Sequence, residues 1–152
     1  MLGTKSKIAK VKCLMERSKK ITDKQFISIV DVIAQSSYCK RSQVGAIIVK
    51  DLNIIALGYN GTPSGFENEC EDCDNNTRKH VLHAESNAIA KCARSTTSTD
   101  GSTLYCSLSP CFECAKMIIQ AGIKRVVFKE YYRTINGIEL LEDAGIEVLL
   151  CQ

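Results

Sequence analysis

The chain reads as an α/β protein, a three-layer α-β-α sandwich built on a five-stranded mixed sheet. Three observations predict this. Apolar periodicity switches repeatedly between the helical repeat and the two-residue repeat of strands, in the order α-β-β-α-β-α-β-α-β. The first two strand-like runs, "VGAIIVK" and "NIIALGY", meet through "DLN", short enough only for an antiparallel hairpin. Each later strand follows a helix, a connection long enough for parallel pairing. At 152 residues the chain can bury one real core.

The elements follow in order. "TDKQFISIVDVIAQSSY" opens with Thr22 and Gln25 spaced as a capping box. Phe26, Ile29, Val30 and Ile33 share one helical face. After the hairpin, "GYNGTPSG" is turn-rich and "FENECEDCDNNTRKH" is polar and without period. A helix begins around His83 and carries Ala84, Ala88, Ile89 and Cys92. "TLYCSLS" is a strand. "PCFECAKMIIQAG" is a helix with Ser109 as its cap, Pro110 at its first position and Gly122 at its end. "RVVFKE" is a strand, "GIELLEDAG" a short helix closed by glycine, and "IEVLL" the last strand.

Charge divides the chain into a basic arm at residues 1–20 and a domain at residues 21–152. The arm carries seven Lys or Arg and one Glu, a net +6, whereas the rest carries 13 basic and 16 acidic groups, a net −3. A net-acidic domain with 6% aromatics argues against nucleic acid as a partner. No apolar run approaches the ~18 residues of a membrane span. The arm lacks the apolar core of a secretory signal, although its composition also fits a transit peptide. The expectation is a cytoplasmic protein without a membrane partner, in the host cytoplasm if the chain is phage or viral. Nine cysteines, an odd number without an export signal, argue against a disulfide framework and for metal ligation or free thiols.

The chemistry concentrates in "HAESNAI" and "SPCFECAK". Cys111 and Cys114 lie one helical turn apart, at an electropositive helix start that favours the thiolates zinc requires. His83 begins the preceding helix, and two crossover helices can start at the same end of a sheet. His83, Cys111 and Cys114 then form a three-ligand zinc site that leaves a position for water, the arrangement of a catalytic zinc. Glu85 suits proton transfer beside that water, provided His83 sits at the helix edge. A zinc-dependent binding module would have no use for Glu85. A deaminase acting on a nucleic-acid base would need a basic, aromatic path for a strand.

The compound pattern H-x-E…P-C-x-x-C is the signature of zinc nucleobase deaminases. "RSQVGAIIVKDLNIIALGYNGTPSG", "VLHAESNAIAKCARS" and "TLYCSLSPCFECAKMIIQAGIKRVVF" resemble the deoxycytidylate (dCMP) deaminase family, particularly its phage and viral members, over roughly residues 22–150. The resemblance implies a cytidine-deaminase-like fold and hydrolysis of dCMP to dUMP and ammonia, which supplies dUMP for thymidylate. It implies zinc on His83, Cys111 and Cys114, and Glu85 passing a proton from water to N3 and the leaving amine. A free nucleoside or a nucleic-acid base is the alternative substrate.

Substrate contacts are expected at Asn60, Ala84, Ser109, Arg94 and Tyr131. Arg41 and, more weakly, Lys116 are further candidates for the phosphate, and Tyr132 stands beside Tyr131. The resemblance also implies a homohexamer, activation by dCTP and inhibition by dTTP. These effectors would bind with magnesium at a separate site around Tyr59, Asn60 and Gly61. Some family members hold a second, structural zinc, which Cys39, Cys70, Cys73 and His80 would form here as a closed Cys3His site. The same acidic segment also reads as a solvated loop.

Overall fold

The computed structural model describes residues 20–152, so the basic arm lies outside the described residues except for Lys20. Helix α1 spans Asp23–Ala34, and the hairpin strands β1 and β2 span Gly45–Lys50 and Asn53–Tyr59. Then follow α2 (Ala84–Ala93), β3 (Thr103–Leu108), α3 (Phe112–Gln120), β4 (Arg125–Glu130), α4 (Asn136–Asp143) and β5 (Glu147–Leu150). The sheet order is β2-β1-β3-β4-β5. β1 is antiparallel to both neighbours, whereas β3, β4 and β5 run parallel. The expected five-stranded mixed sheet in three layers is therefore present.

Alternation along the strands divides the core. Ala46, Ile48, Leu104, Cys106, Val126 and Phe128 face α2, α3 and α4. Ile47, Val49, Tyr105 and Val127 face Phe26, Ile27 and Val30 of α1. The capping box of Thr22 and Gln25 is formed at the start of α1. Asp23 beside it accepts both Nη groups of Arg125, at 2.9 and 2.7 Å, and the Tyr105 hydroxyl at 2.7 Å, which pins α1 to the sheet. No helix among the described residues is long and apolar enough to cross a membrane.

Two expectations are corrected. Cys111, not Ser109, is the N-cap of α3, and Pro110 precedes the helix. The Ser109 hydroxyl instead accepts the Tyr132 amide at 2.8 Å, a bond to the far end of β4. Cys39 and Cys70 form a disulfide, with Cα atoms 5.1 Å apart. That bridge joins the segment before β1 to the loop after β2, which the odd cysteine count argued against.

Candidate active site

Parallel pairing of β3 with β4, and the β2–α2–β3 connection across β1, bring the starts of α2 and α3 to one end of the sheet. His83 is the N-cap of α2, with extended backbone (φ −74°, ψ 157°), and Cys111 is the N-cap of α3. Extended geometry at His83 turns its side chain out of the helical spiral. His83 Nδ1 lies 3.4 Å from Cys111 Sγ and 3.5 Å from Cys114 Sγ. All three donor atoms fall within 4.8 Å of one another, the only such three-donor group among the described residues. One imidazole and two thiols within that span suit a tetrahedral zinc with one position left over.

The electrostatics fit the same purpose. A hydrogen bond from Cys114, together with His83, lowers the Cys111 thiol to about 4, so one thiolate is already favoured. Cys114, as the donor to Cys111, is pushed up. His83 is raised, chiefly by its hydrogen bond to Cys111. Glu85 is only 4% exposed, and burial raises its carboxyl to about 7. A carboxyl at that value can both accept and return a proton near neutrality.

A cavity of about 170 Å³ opens beside these groups. His83, Glu85, Cys111, Ala84, Ser109, Asn60 and Arg41 line it, so most of the predicted residues converge. The Asn60 amide, however, is already engaged: Oδ1 accepts the Val44 amide at 2.8 Å and Nδ2 donates to the Ser42 carbonyl at 2.9 Å. Asn60 thus braces the cavity wall.

Other expected residues are not brought there. Arg94 caps the far end of α2, about 16 Å along the helix from His83 at ~1.5 Å per residue. Tyr131 is 58% exposed and packs edge-on against Phe128, and its neighbour Tyr132 lines the cavity instead. Lys116 pairs with Glu113 at 2.6 Å on the exposed side of α3. Cys39, Cys70, Cys73 and His80 do not gather as a second metal site. The disulfide takes two of these donors, Cys73 is exposed, and His80 stacks on Phe66 with ring centroids 5.0 Å apart.

The sequence reading missed Arg133, Glu71 and Thr77, which also line the cavity. Arg133 directly follows the paired tyrosines after β4 and could have been taken with them. Glu71 and Thr77 carry no such signal in the irregular loop.

A second cavity, of about 400 Å³, lies on the other side of the β2 terminus. Tyr59, Gly61, Thr62, Lys91 and Arg94 are among its lining residues. Adjacent residues Tyr59 and Asn60 therefore serve different cavities.

A His-Cys-Cys group at two converging helix starts, with a buried glutamate beside it on a mixed α/β sheet, defines a zinc deaminase site. The comparisons agree. A family model described as the cytidine and deoxycytidylate deaminase zinc-binding region matches residues 20–130. The chain belongs to that cytidine and deoxycytidylate deaminase family.

It is 41% identical to ComE operon protein 2 of Bacillus subtilis (strain 168), over 81% of this chain and 67% of that protein. It is 37% identical to the deoxycytidylate deaminase of Mycobacterium phage D29, over 70% of this chain and 92% of that enzyme. It spans only 43% of the length of the Saccharomyces cerevisiae deoxycytidylate deaminase, at 35% identity. The crystal structure of the cyanophage S-TIM5 dCMP deaminase with dCMP and dUMP superposes with a TM-score of 0.81 at 49% identity. That match covers 82% of this chain and 93% of that one.

Proposed function

We propose that this chain hydrolyses dCMP to dUMP and ammonia, as a cytoplasmic enzyme of the nucleotide pool. The observation that carries the proposal is the buried Glu85 beside the three converged donors, at one small cavity that Glu85, His83 and Cys111 line. His83, Cys111 and Cys114 would hold zinc, which supplies the Lewis acidity that readies water for attack near neutral pH.

Glu85 takes one proton from the attacking water and delivers it to N3, then takes the remaining proton from the oxygen now on C4 and delivers it to the departing amine. The bond from water oxygen to C4 forms, the bond from C4 to the exocyclic nitrogen breaks, and the nitrogen leaves as ammonia. Burial suits Glu85 to both transfers, because neither of its protonation states is strongly favoured near neutrality. Ala84, the first residue of α2, brings a backbone N–H without a helical acceptor, suited to the pyrimidine carbonyl. The Ser109 amide donates to the Glu130 carbonyl and its hydroxyl accepts the Tyr132 amide, so Ser109 has its carbonyl and its hydroxyl proton left for substrate. Arg41 and Arg133, the two guanidinium groups on the cavity, are the partners for the monophosphate.

The second cavity is the site we propose for dCTP and dTTP as effectors, bound with Mg²⁺. Lys91 and Arg94 supply cations there and Tyr59 an aromatic face, and its volume exceeds that of the first. The same family reading gives a homohexamer, which sizing in solution would check.

The deciding experiment is ammonia release from dCMP, deoxycytidine, dCTP and a short single strand, with and without dCTP or dTTP. Preference for dCMP is expected. Preference for the single strand would overturn the nucleotide-pool assignment. Loss of dTTP inhibition in Arg94→Ala is expected of the second cavity, and intact inhibition would remove the effector from it.

A further inference from the structure

The cavity wall that carries Arg41 is held from two sides. From just after β2, Asn60 binds Ser42 and Val44 through its side-chain amide. From the irregular loop, one oxygen of Glu71, Oε1, accepts two consecutive backbone amides, Lys40 at 2.8 Å and Arg41 at 3.1 Å. These partners are 31 and 30 residues away in sequence. The Arg41 guanidinium then donates through Nη1 to Thr77 Oγ1 of the same loop at 3.3 Å.

The loop is braced to bear this. Glu71 pairs with Thr77 in a β-bridge. The Asp72 carboxylate accepts the amides of Asp74 and Asn76, both at 2.9 Å, and Asn75 takes the left-handed conformation that closes the turn (φ 61°). Arg78 donates its amide to Cys70 and its Nε to the Glu71 carbonyl, at 2.8 and 3.1 Å. The disulfide from Cys70 to Cys39 anchors the loop base one residue before Lys40. Glu71 is thus a fixed carboxylate that orders the backbone from which Arg41 reaches the cavity.

We propose that Glu71 is a positioning residue that acts through Arg41 to select nucleotide over nucleoside. The inference rests on Arg41 as a partner of the phosphate. A carboxylate accepting two neighbouring amides fixes their peptide planes, and a cation on an ordered segment loses less freedom when it binds phosphate. Without Glu71 the amides of Lys40 and Arg41 turn to water and the guanidinium is no longer aimed. The loss then falls on KM for dCMP, through the phosphate, and not on the chemistry at C4.

The test measures KM and kcat for dCMP and deoxycytidine in a double-mutant cycle of Glu71→Ala and Arg41→Ala on the zinc-loaded enzyme. Arg41→Ala should narrow the selectivity for dCMP over deoxycytidine by about a hundredfold, as loss of a charge-assisted phosphate contact implies. Glu71→Ala should narrow it by about tenfold, mainly through KM. The two effects should not add, because Glu71 works through Arg41. Glu71→Gln retains an oxygen for both amides and should recover most of the selectivity. Thr77→Val, which removes the hydroxyl that receives Arg41, should raise KM for dCMP about threefold and provides a reading if Glu71→Ala does not fold.

Unchanged selectivity in Arg41→Ala would overturn the phosphate assignment. Changed selectivity in Arg41→Ala, with none in Glu71→Ala or with additive effects, would overturn the positioning role alone.

Discussion

Glu85 and Asp23 are both carboxyls at helix starts, yet their surroundings drive them in opposite directions. Glu85 is buried and raised to about 7, whereas Asp23 is held below its usual 3.8 by the Arg125 guanidinium. In Glu85→Gln the shape is kept and the proton carrier is lost. Turnover of dCMP should fall by about a thousandfold or more while bound zinc stays stoichiometric. Metal analysis beside an ammonia assay reads both, and near-normal turnover would refute the proton role.

For Asp23 the sign is that of a depressed acid. The ion pair stabilises the fold fully above about pH 4, and that stability disappears as pH falls through the lowered folded value. Asp23→Asn should therefore cost about 1 kcal/mol at most near neutrality, since solvent reaches 36% of the Asp23 side chain and screens the pair. Denaturant melts of the two proteins should converge in strong acid. A gap that persists there would mean that hydrogen-bond geometry, and not charge, holds α1.

At the scale of elements, close approach places the ligands. Gly137, at the start of α4, packs directly against the Pro110 carbonyl and the Cys111 backbone, where an added Cβ has no room. Gly58 gives α2 the same closeness to β2 at Ala84 and Ala88. The Asn87 and Lys91 side chains then donate to the Tyr59 and Leu57 carbonyls of β2, each at 2.9 Å. Gly137→Ala should push the Cys111 turn out of place at a cost of about 1–3 kcal/mol. It should also weaken zinc retention, seen as faster loss of metal to a chelator. Gly145→Ala makes a useful comparison, because it meets no neighbour but strains a left-handed backbone (φ 77°). It should lower stability without a matching loss of metal.

In the whole molecule, the three donors belong to the starts of two neighbouring helices, α2 and α3, so a bound metal would tie them together. A metal bound only by the native state stabilises it in proportion to the logarithm of its saturation. Chelation should therefore lower Tm by several degrees, and added zinc should restore it, as calorimetry would show. A Tm indifferent to chelator would mean that the ligands are not bridged by metal in solution. The scale also explains the active-site contents. The sheet turns β3 and β4 the same way, so the residues after both strands, Ser109 and Tyr132, meet over the cavity.

By itself the sequence determined the element order, the capped start of α1, the hairpin and the three-donor site. The first three rest on local periodicity and turn chemistry; the three-donor site, whose members stand 28 and 31 positions apart, was legible only through donor type and the compound H-x-E…P-C-x-x-C pattern. Tertiary structure alone decided the rest. Ser109 gave up its capping role because the Tyr132 amide competes for its hydroxyl. Arg94 lies out of reach because a straight helix carries it away from His83. Cys39 and Cys70 meet because the chain returns past β1, and Glu71 reaches Arg41 by the same return. Contacts between residues tens of positions apart depend on how the elements pack, and no stretch of neighbouring residues encodes that.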